Sequence, residues 1–149
     1  MGSKVNEISI SYKEYNTIKD APKISSSFDA AELLFENWDE DTITLYESFK
    51  VLLLNNSNKV KGVYELSKGG ITGTMVDIRI LFATVLKSLS VAIILAHNHP
   101  SGKLQASDAD ILLTKKIQKA AKLLDISVLD HLIIAPNGNY YSFSDNHII

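Results

Sequence analysis

Apolar residues recur along this chain with two different periods, and each period predicts a different element. Helical spacing predicts a helix over residues 28–37, capped by Ser27, and a second helix over residues 76–89. A third helix follows residue 107, because an apolar stripe recurs there at helical spacing, at Leu113, Ile117, Ala120 and Leu124. We therefore expect three helices that each pack one face on the rest of the protein.

Five shorter runs are typical of β-strands. Residues 48–54 and 59–66 flank a cluster of turn residues, and residues 128–134 and 140–143 flank Pro-Asn-Gly-Asn, so each pair predicts a hairpin. Residues 91–96 are almost wholly apolar, and the shortness of this run favours a central strand over a buried helix. Strands interleaved with helices predict the α/β (α+β) class, with a single mixed β-sheet flanked by helices.

The N-terminal segment has a weaker pattern. Residues 5–15 alternate loosely between apolar and polar positions, as an edge strand would, and the alternation is then lost in a serine-rich stretch. We expect a strand or an arm over residues 1–24 and one compact domain over residues 25–149, since 149 residues with 46% hydrophobic content suit a single core.

Composition and charge exclude several classes of protein. A formal net charge of −2 gives no general reason to bind nucleic acid or an anionic membrane. The absence of cysteine excludes disulfides, thiolate nucleophiles and sulfur-ligated zinc, so any metal must be bound by nitrogen and oxygen. No apolar run approaches the ~20 residues that span a bilayer, and the N-terminus lacks a signal-peptide pattern, so a cytoplasmic location is expected.

Two of the four histidines, His97 and His99, follow the apolar run of residues 91–96. Residues two apart in a strand project to one side, so both imidazoles can reach one point. Pro100 then ends the strand, and Asp110 in the first turn of the next helix can return a carboxylate to that point. Two imidazoles and one carboxylate are typical of catalytic zinc sites, although a His-x-His pair alone also occurs in hydrogen-bonding and surface roles.

A hydrolytic metal site also needs a general base, and Glu65 is the candidate that the pattern favours. It is the only acidic residue between Ser48 and Val76, and it lies in an otherwise apolar stretch, where a charge is costly. An edge strand with the carboxylate in solvent is the alternative explanation.

These residues together resemble a known metalloprotease motif. The JAMM/MPN motif has a glutamate, then His-x-His-Pro, then Ser-x-x-Asp with ten residues between the second histidine and the aspartate, and His99 to Asp110 has that spacing. The fuller string His-Asn-His-Pro-Ser-Gly, which begins at His97, resembles the bacterial RadC family. The string Leu-Asp-His-Leu-Ile-Ile over residues 129–134 does so too, and the resemblance covers residues 25–149.

The resemblance implies a JAB/MPN-like (cytidine-deaminase-like) fold that binds Zn²⁺ through His97, His99 and Asp110. It implies a metallopeptidase or isopeptidase with a protein or peptide substrate, in which Glu65 activates a zinc-bound water against an amide carbonyl and Ser107 stabilises the oxyanion. RadC proteins are named for DNA repair, so two alternatives stay open. These are a DNA-repair-associated binding module without significant hydrolysis and a metal-dependent nuclease.

Ser107 and Asp110 have a second interpretation, because Ser-x-x-Asp before an apolar stripe is also a helix capping box. A capping carboxylate is expected to point away from a metal, so the direction of the Asp110 side chain distinguishes a helix cap from a metal ligand. Outside this group, we expect His131 to be a hydrogen-bonded structural residue. Three lysines of the third helix are expected to form a solvated face: Lys115, Lys119 and Lys122.

Overall fold

The computed structural model describes residues 2, 4–9, 11–15, 17–69 and 75–149. These residues contain three α-helices, five strands and a single 3-10 turn at Ile18–Asp20. The helices are α1 (Ser27–Glu36), α2 (Ile78–Lys87) and α3 (Asp108–Leu123). The strands are β1 (Ser48–Leu54), β2 (Val60–Lys68), β3 (Ala92–Asn98), β4 (Ser127–Ile134) and β5 (Tyr140–Ser142).

The five strands form one mixed sheet in the order β2-β1-β3-β4-β5. β1 pairs antiparallel with β2 and with β3, and β4 pairs antiparallel with β5. β3 and β4 are parallel, and α3 makes the crossover that a parallel pair requires. The structure confirms the predicted single mixed sheet flanked by helices.

Each face of the sheet carries its own core. On one face α1 packs Leu34 against Leu52 of β1, and on the other α2 packs Leu81 against Val51. β3 is buried at all of its positions because helices cover both faces of the sheet. Its residues alternate between the two cores, and His97 falls on the face covered by α2 and α3, beside the ring of Phe49.

Wherever the sequence predicted both ends of a helix or strand, those ends differ from the observed ones by no more than two residues. Ser26, rather than Ser27, caps α1, because the Ser26 hydroxyl accepts a hydrogen bond from the Asp29 backbone nitrogen at 3.3 Å. β3 continues two residues beyond its predicted end, since His97 and Asn98 are buried, His97 pairs with both β1 and β4, and Asn98 pairs with β4.

The described residues up to Tyr15 contain no strand, which removes the edge-strand alternative for that part of the N-terminal segment. Closer to the domain, the Ile24 nitrogen donates to the Asn58 carbonyl, and the Val60 nitrogen donates to the Pro22 carbonyl, each at 2.9 Å. These bonds attach the segment before α1 to the start of β2. Among the described residues, no helix combines the length and apolar character needed to cross a membrane.

Candidate metal centre

The two histidines of the site come from the end of β3. His97 lies opposite Phe49 of β1 and Ile133 of β4, and its ring stacks on the Phe49 ring with centroids 6.2 Å apart. The His99 nitrogen donates to the Ile134 carbonyl at 3.0 Å, which keeps the chain extended for one more residue. The Nε2 atoms of His97 and His99 consequently lie 3.0 Å apart.

Asn98, between the two histidines, points to the opposite side and fixes the chain that precedes β1. It is fully buried, and its Oδ1 atom accepts a hydrogen bond from the Ser48 nitrogen at 2.7 Å. Its Nδ2 atom donates to the carbonyls of Ile43 and Tyr46, at 2.8 and 3.0 Å. The sequence analysis assigned Asn98 no role, although a polar residue between two histidines in a buried strand needs such partners.

Asp110 reaches the histidines from the first turn of α3. Its Oδ2 atom lies 3.4 Å from His97 Nε2 and 3.8 Å from His99 Nε2. The same oxygen accepts a hydrogen bond from the Ser107 nitrogen at 3.1 Å, and the Ser107 hydroxyl accepts one from the Asp110 nitrogen at 3.0 Å. The expectation that capping and metal binding compete is therefore wrong. A carboxylate oxygen has two lone pairs, and the capping box aims this one at the histidines.

Protonation at the site follows from its hydrogen bonds. His99 Nδ1 lies 2.6 Å from the Lys103 carbonyl, which can only accept, so this nitrogen carries the proton and Nε2 presents a lone pair. Partial burial works to raise the pKa of the Asp110 carboxyl, but the adjoining His97 and the bonds from Ser107 hold that pKa well below its usual range. Asp110 is therefore a carboxylate at neutral pH.

The donor set fits a divalent cation. Among the described residues, His97, His99 and Asp110 offer ligand atoms that all lie within 4.8 Å of one another. Imidazole nitrogens and a carboxylate oxygen are ligands that zinc prefers, and a cation between them satisfies lone pairs that would otherwise face each other. The three residues predicted as ligands are thus brought together.

The structure separates Glu65 from these ligands. Glu65 lies opposite Lys50, and cross-strand partners share one face of a sheet. The Lys50 ammonium lies on the α1 side, 4.3 Å from the centroid of the Trp38 ring and 3.4 Å from the Asn37 carbonyl. Glu65 also lies 3.6 Å from the ammonium of Lys68. Its carboxylate therefore belongs to the face opposite the histidines.

A different acidic residue lies on the histidine face. Glu47 is half-buried directly before β1, where its carbonyl accepts a hydrogen bond from the Gly69 nitrogen at 2.7 Å. Phe49, two residues further, packs on His97, so extended backbone places Glu47 on the same face. Continuing the β1–β3 register puts Glu47 opposite His99. Glu47 lies one residue outside the span from Ser48 to Val76 in which Glu65 is the only acidic residue, and its two-residue spacing to Phe49 is the sequence signal for its position.

Comparison with known families shows which kind of protein carries this site. Residues 24–148 match the family described as RadC-like JAB domain. The chain belongs to this family. The resemblance drawn from the sequence is thereby confirmed, and the five-stranded mixed sheet with three helices agrees with the fold expected of a JAB domain.

Relatives of this RadC-like JAB domain include several bacterial proteins named UPF0758. The protein of Flavobacterium johnsoniae is 49% identical over 126 residues, which are 85% of this chain and 53% of that protein. The protein of Porphyromonas gingivalis is 47% identical over 103 residues, which are 69% of this chain and 45% of that protein. That of Alkaliphilus metalliredigens is 39% identical over 127 residues, or 85% and 53%. The chain spans about half the length of the curated relatives it matches.

Proposed function

We propose that this RadC-like JAB domain is a zinc-dependent hydrolase of the metallopeptidase type, which cleaves an amide bond in a protein or peptide. The observation that carries the proposal is the convergence of His97 Nε2, His99 Nε2 and Asp110 Oδ2. Three protein ligands are typical of catalytic zinc sites, whereas structural sites use four. When bound, zinc acts as a Lewis acid and lowers the pKa of a coordinated water towards ~7.

We assign the general base to Glu47. A base must lie beside the ligands without being one of them, and it must face the same side of the sheet. Two features support Glu47 on both counts: it is half-buried, and continuing the β1–β3 register by two residues from the Phe49–His97 pair brings it opposite His99. Its carboxylate takes the proton released by the attacking water and returns it to the leaving amine. Glu65, the base implied by the family resemblance, faces Lys50 instead.

Ser107 is positioned to donate a hydrogen bond to the oxyanion. Its hydroxyl oxygen already accepts the bond from the Asp110 nitrogen, so the hydroxyl hydrogen is the part left to donate. The side chain is exposed at the start of α3, next to the third metal ligand. These two features support the oxyanion role that the family resemblance implies.

Metal analysis of the protein purified without chelator tests the proposal. We expect about one zinc per chain, lost in His97→Ala and retained in His147→Asn, a control at an exposed histidine whose positive φ asparagine tolerates. A stable wild-type protein that takes up no zinc would overturn the proposal.

The same protein sample separates the two DNA-based alternatives. Steeply salt-dependent binding to duplex DNA would favour a binding module, and magnesium-dependent strand cleavage would favour a nuclease. The exposed lysines of α3 are the side chains available for phosphate contacts, but the net charge of −2 gives them no general electrostatic support.

A further inference from the structure

Behind the metal ligands, a chain of hydrogen bonds runs through the core of the protein. His97 Nδ1 lies 2.8 Å from His131 Nε2, and His131 Nδ1 lies 2.6 Å from the Thr114 hydroxyl. The Thr114 hydroxyl in turn lies 2.7 Å from the carbonyl oxygen of Asp110. His131 and Thr114 are both fully buried, so each polar atom in this chain depends on its protein partner.

The last acceptor of this hydrogen-bond chain determines which atom carries each hydrogen along it. A carbonyl oxygen can only accept, so the single hydroxyl hydrogen of Thr114 goes to Asp110. The Thr114 oxygen must then accept from His131, which puts the hydrogen of the buried, neutral His131 ring on Nδ1. His131 Nε2 is left as an acceptor, and the hydrogen between the two rings belongs to His97 Nδ1. His97 Nε2 is thereby left to face the metal position.

Aromatic packing holds the His131 ring in the orientation that this chain requires. The ring stacks on Phe143, with centroids 4.4 Å apart and planes 21° apart. The ring also contacts Phe49, edge to face, with centroids 5.5 Å apart. The ring is fully buried, and its two nitrogens face only another imidazole and a hydroxyl, which favours the neutral form.

The chain also joins two of the ligands to each other. It begins at the side chain of His97 on β3 and ends at the backbone of Asp110 on α3, whose carboxylate faces the same His97 ring. We propose that His131 and Thr114 are positioning residues for the metal site, which fix His97 with its proton on Nδ1 and set the distance between β3 and α3. This inference rests on the proposed metal site. It predicts that a change at Thr114, which touches no metal, weakens metal binding.

Two substitutions of Thr114 separate positioning from simple stability. Thr114→Ser keeps the hydroxyl, whereas Thr114→Val keeps the shape and removes it. We expect the serine variant to bind Zn²⁺ within about twofold of wild type and the valine variant to bind it about 10- to 100-fold more weakly, as measured by competition with a chromophoric chelator. His131→Gln, whose amide oxygen can accept from His97, should bind more tightly than His131→Leu.

Nitrogen-15 NMR of the metal-free protein gives a readout that does not depend on zinc. In wild type we expect His131 to carry its hydrogen on Nδ1, and in Thr114→Val we expect the Nε2–H form to appear. A wild-type His131 with its hydrogen on Nε2 would overturn the inference. A valine variant that loses thermal stability but binds Zn²⁺ as tightly as wild type would overturn it too. If wild type binds no zinc, the proposed function fails, and the His131 signal still tests the hydrogen-bond chain.

Discussion

Ser107 and Asp110 exchange hydrogen bonds across the first turn of α3, since each side chain accepts from the backbone nitrogen of the other, at 3.0 and 3.1 Å. Such a capping box normally does no more than satisfy the unpaired nitrogens at a helix start. Here it also directs the carboxylate of Asp110 towards the histidines, because the capping oxygen lies 3.4 Å from His97 Nε2.

Ser107→Ala should therefore affect both helix stability and metal affinity. Loss of the cap is expected to cost about 1 kcal/mol of unfolding free energy. The first turn of α3 loses the bond from the Asp110 nitrogen to the Ser107 hydroxyl, so the backbone that carries the Asp110 carboxylate is held less firmly, and Zn²⁺ should bind less tightly. Ser26→Ala is the matched control. Ser26 caps α1 in the same way, and it is far in sequence from the proposed metal ligands. Denaturant unfolding and zinc competition on both variants check this. Equal zinc affinities in the two variants would contradict it.

Substitution of the two candidate bases should give opposite results. Glu47→Gln should retain zinc and lose amide hydrolysis by about 100-fold or more, because the group that accepts the proton is gone. Glu65→Gln should retain both zinc and activity, since Glu65 faces Lys50 on the other side of the sheet. The measurement is cleavage of a peptide library, with zinc content determined on the same samples. The reverse result would return the role to Glu65.

The contribution of Asp130 to the free energy of unfolding should be larger at acid pH than at neutral pH. The carboxyl is buried and accepts bonds from Ser142 and from the backbone nitrogens of His131 and Ser144, at 2.6, 2.7 and 3.0 Å. Burial raises its pKa against the effect of those bonds. A raised folded-state pKa means a stabilising contribution that is complete below the unfolded-state value of about 3.9 and is lost as the pH rises through the folded-state value.

Asp130→Asn removes this titration and keeps the acceptor oxygen. The stability of wild type relative to the variant should consequently fall as the pH rises from about 4 and become constant once Asp130 is ionised. Urea unfolding of both proteins at a series of pH values measures the difference. A difference that grows with pH would show that the hydrogen bonds outweigh burial at this carboxyl.

Local sequence was sufficient to predict that His97, His99 and Asp110 converge. A buried strand ends at His97, a two-residue spacing puts His99 on the same side, and the distance to Asp110 suits a turn followed by a helix start. These relationships depend on residues close together in the chain, so periodicity and spacing predicted them, as they predicted the presence of all three helices and five strands.

The face of the sheet that Glu65 occupies depends on strand register, which local sequence does not determine. A bulge between β1 and β2 pairs Phe49 with Ser67 but Lys50 with Glu65, so one residue of β2 has no direct partner. An irregularity of one residue decides which face Glu65 occupies. The contact between His97 and His131 likewise arises from the parallel pairing of β3 with β4, which are separated in the chain by α3.

His97 and His99 differ in how readily mutation can disturb their orientation. His99 is oriented by the Lys103 carbonyl, a group that every amino acid supplies, so residue 103 is free to vary while Gly102, with its φ of +81°, holds the turn. His97 is oriented by the side chains of His131 and Thr114, which few residues can replace. Random mutagenesis with selection for metal binding should therefore tolerate most changes at 103 and very few at 114 or 131.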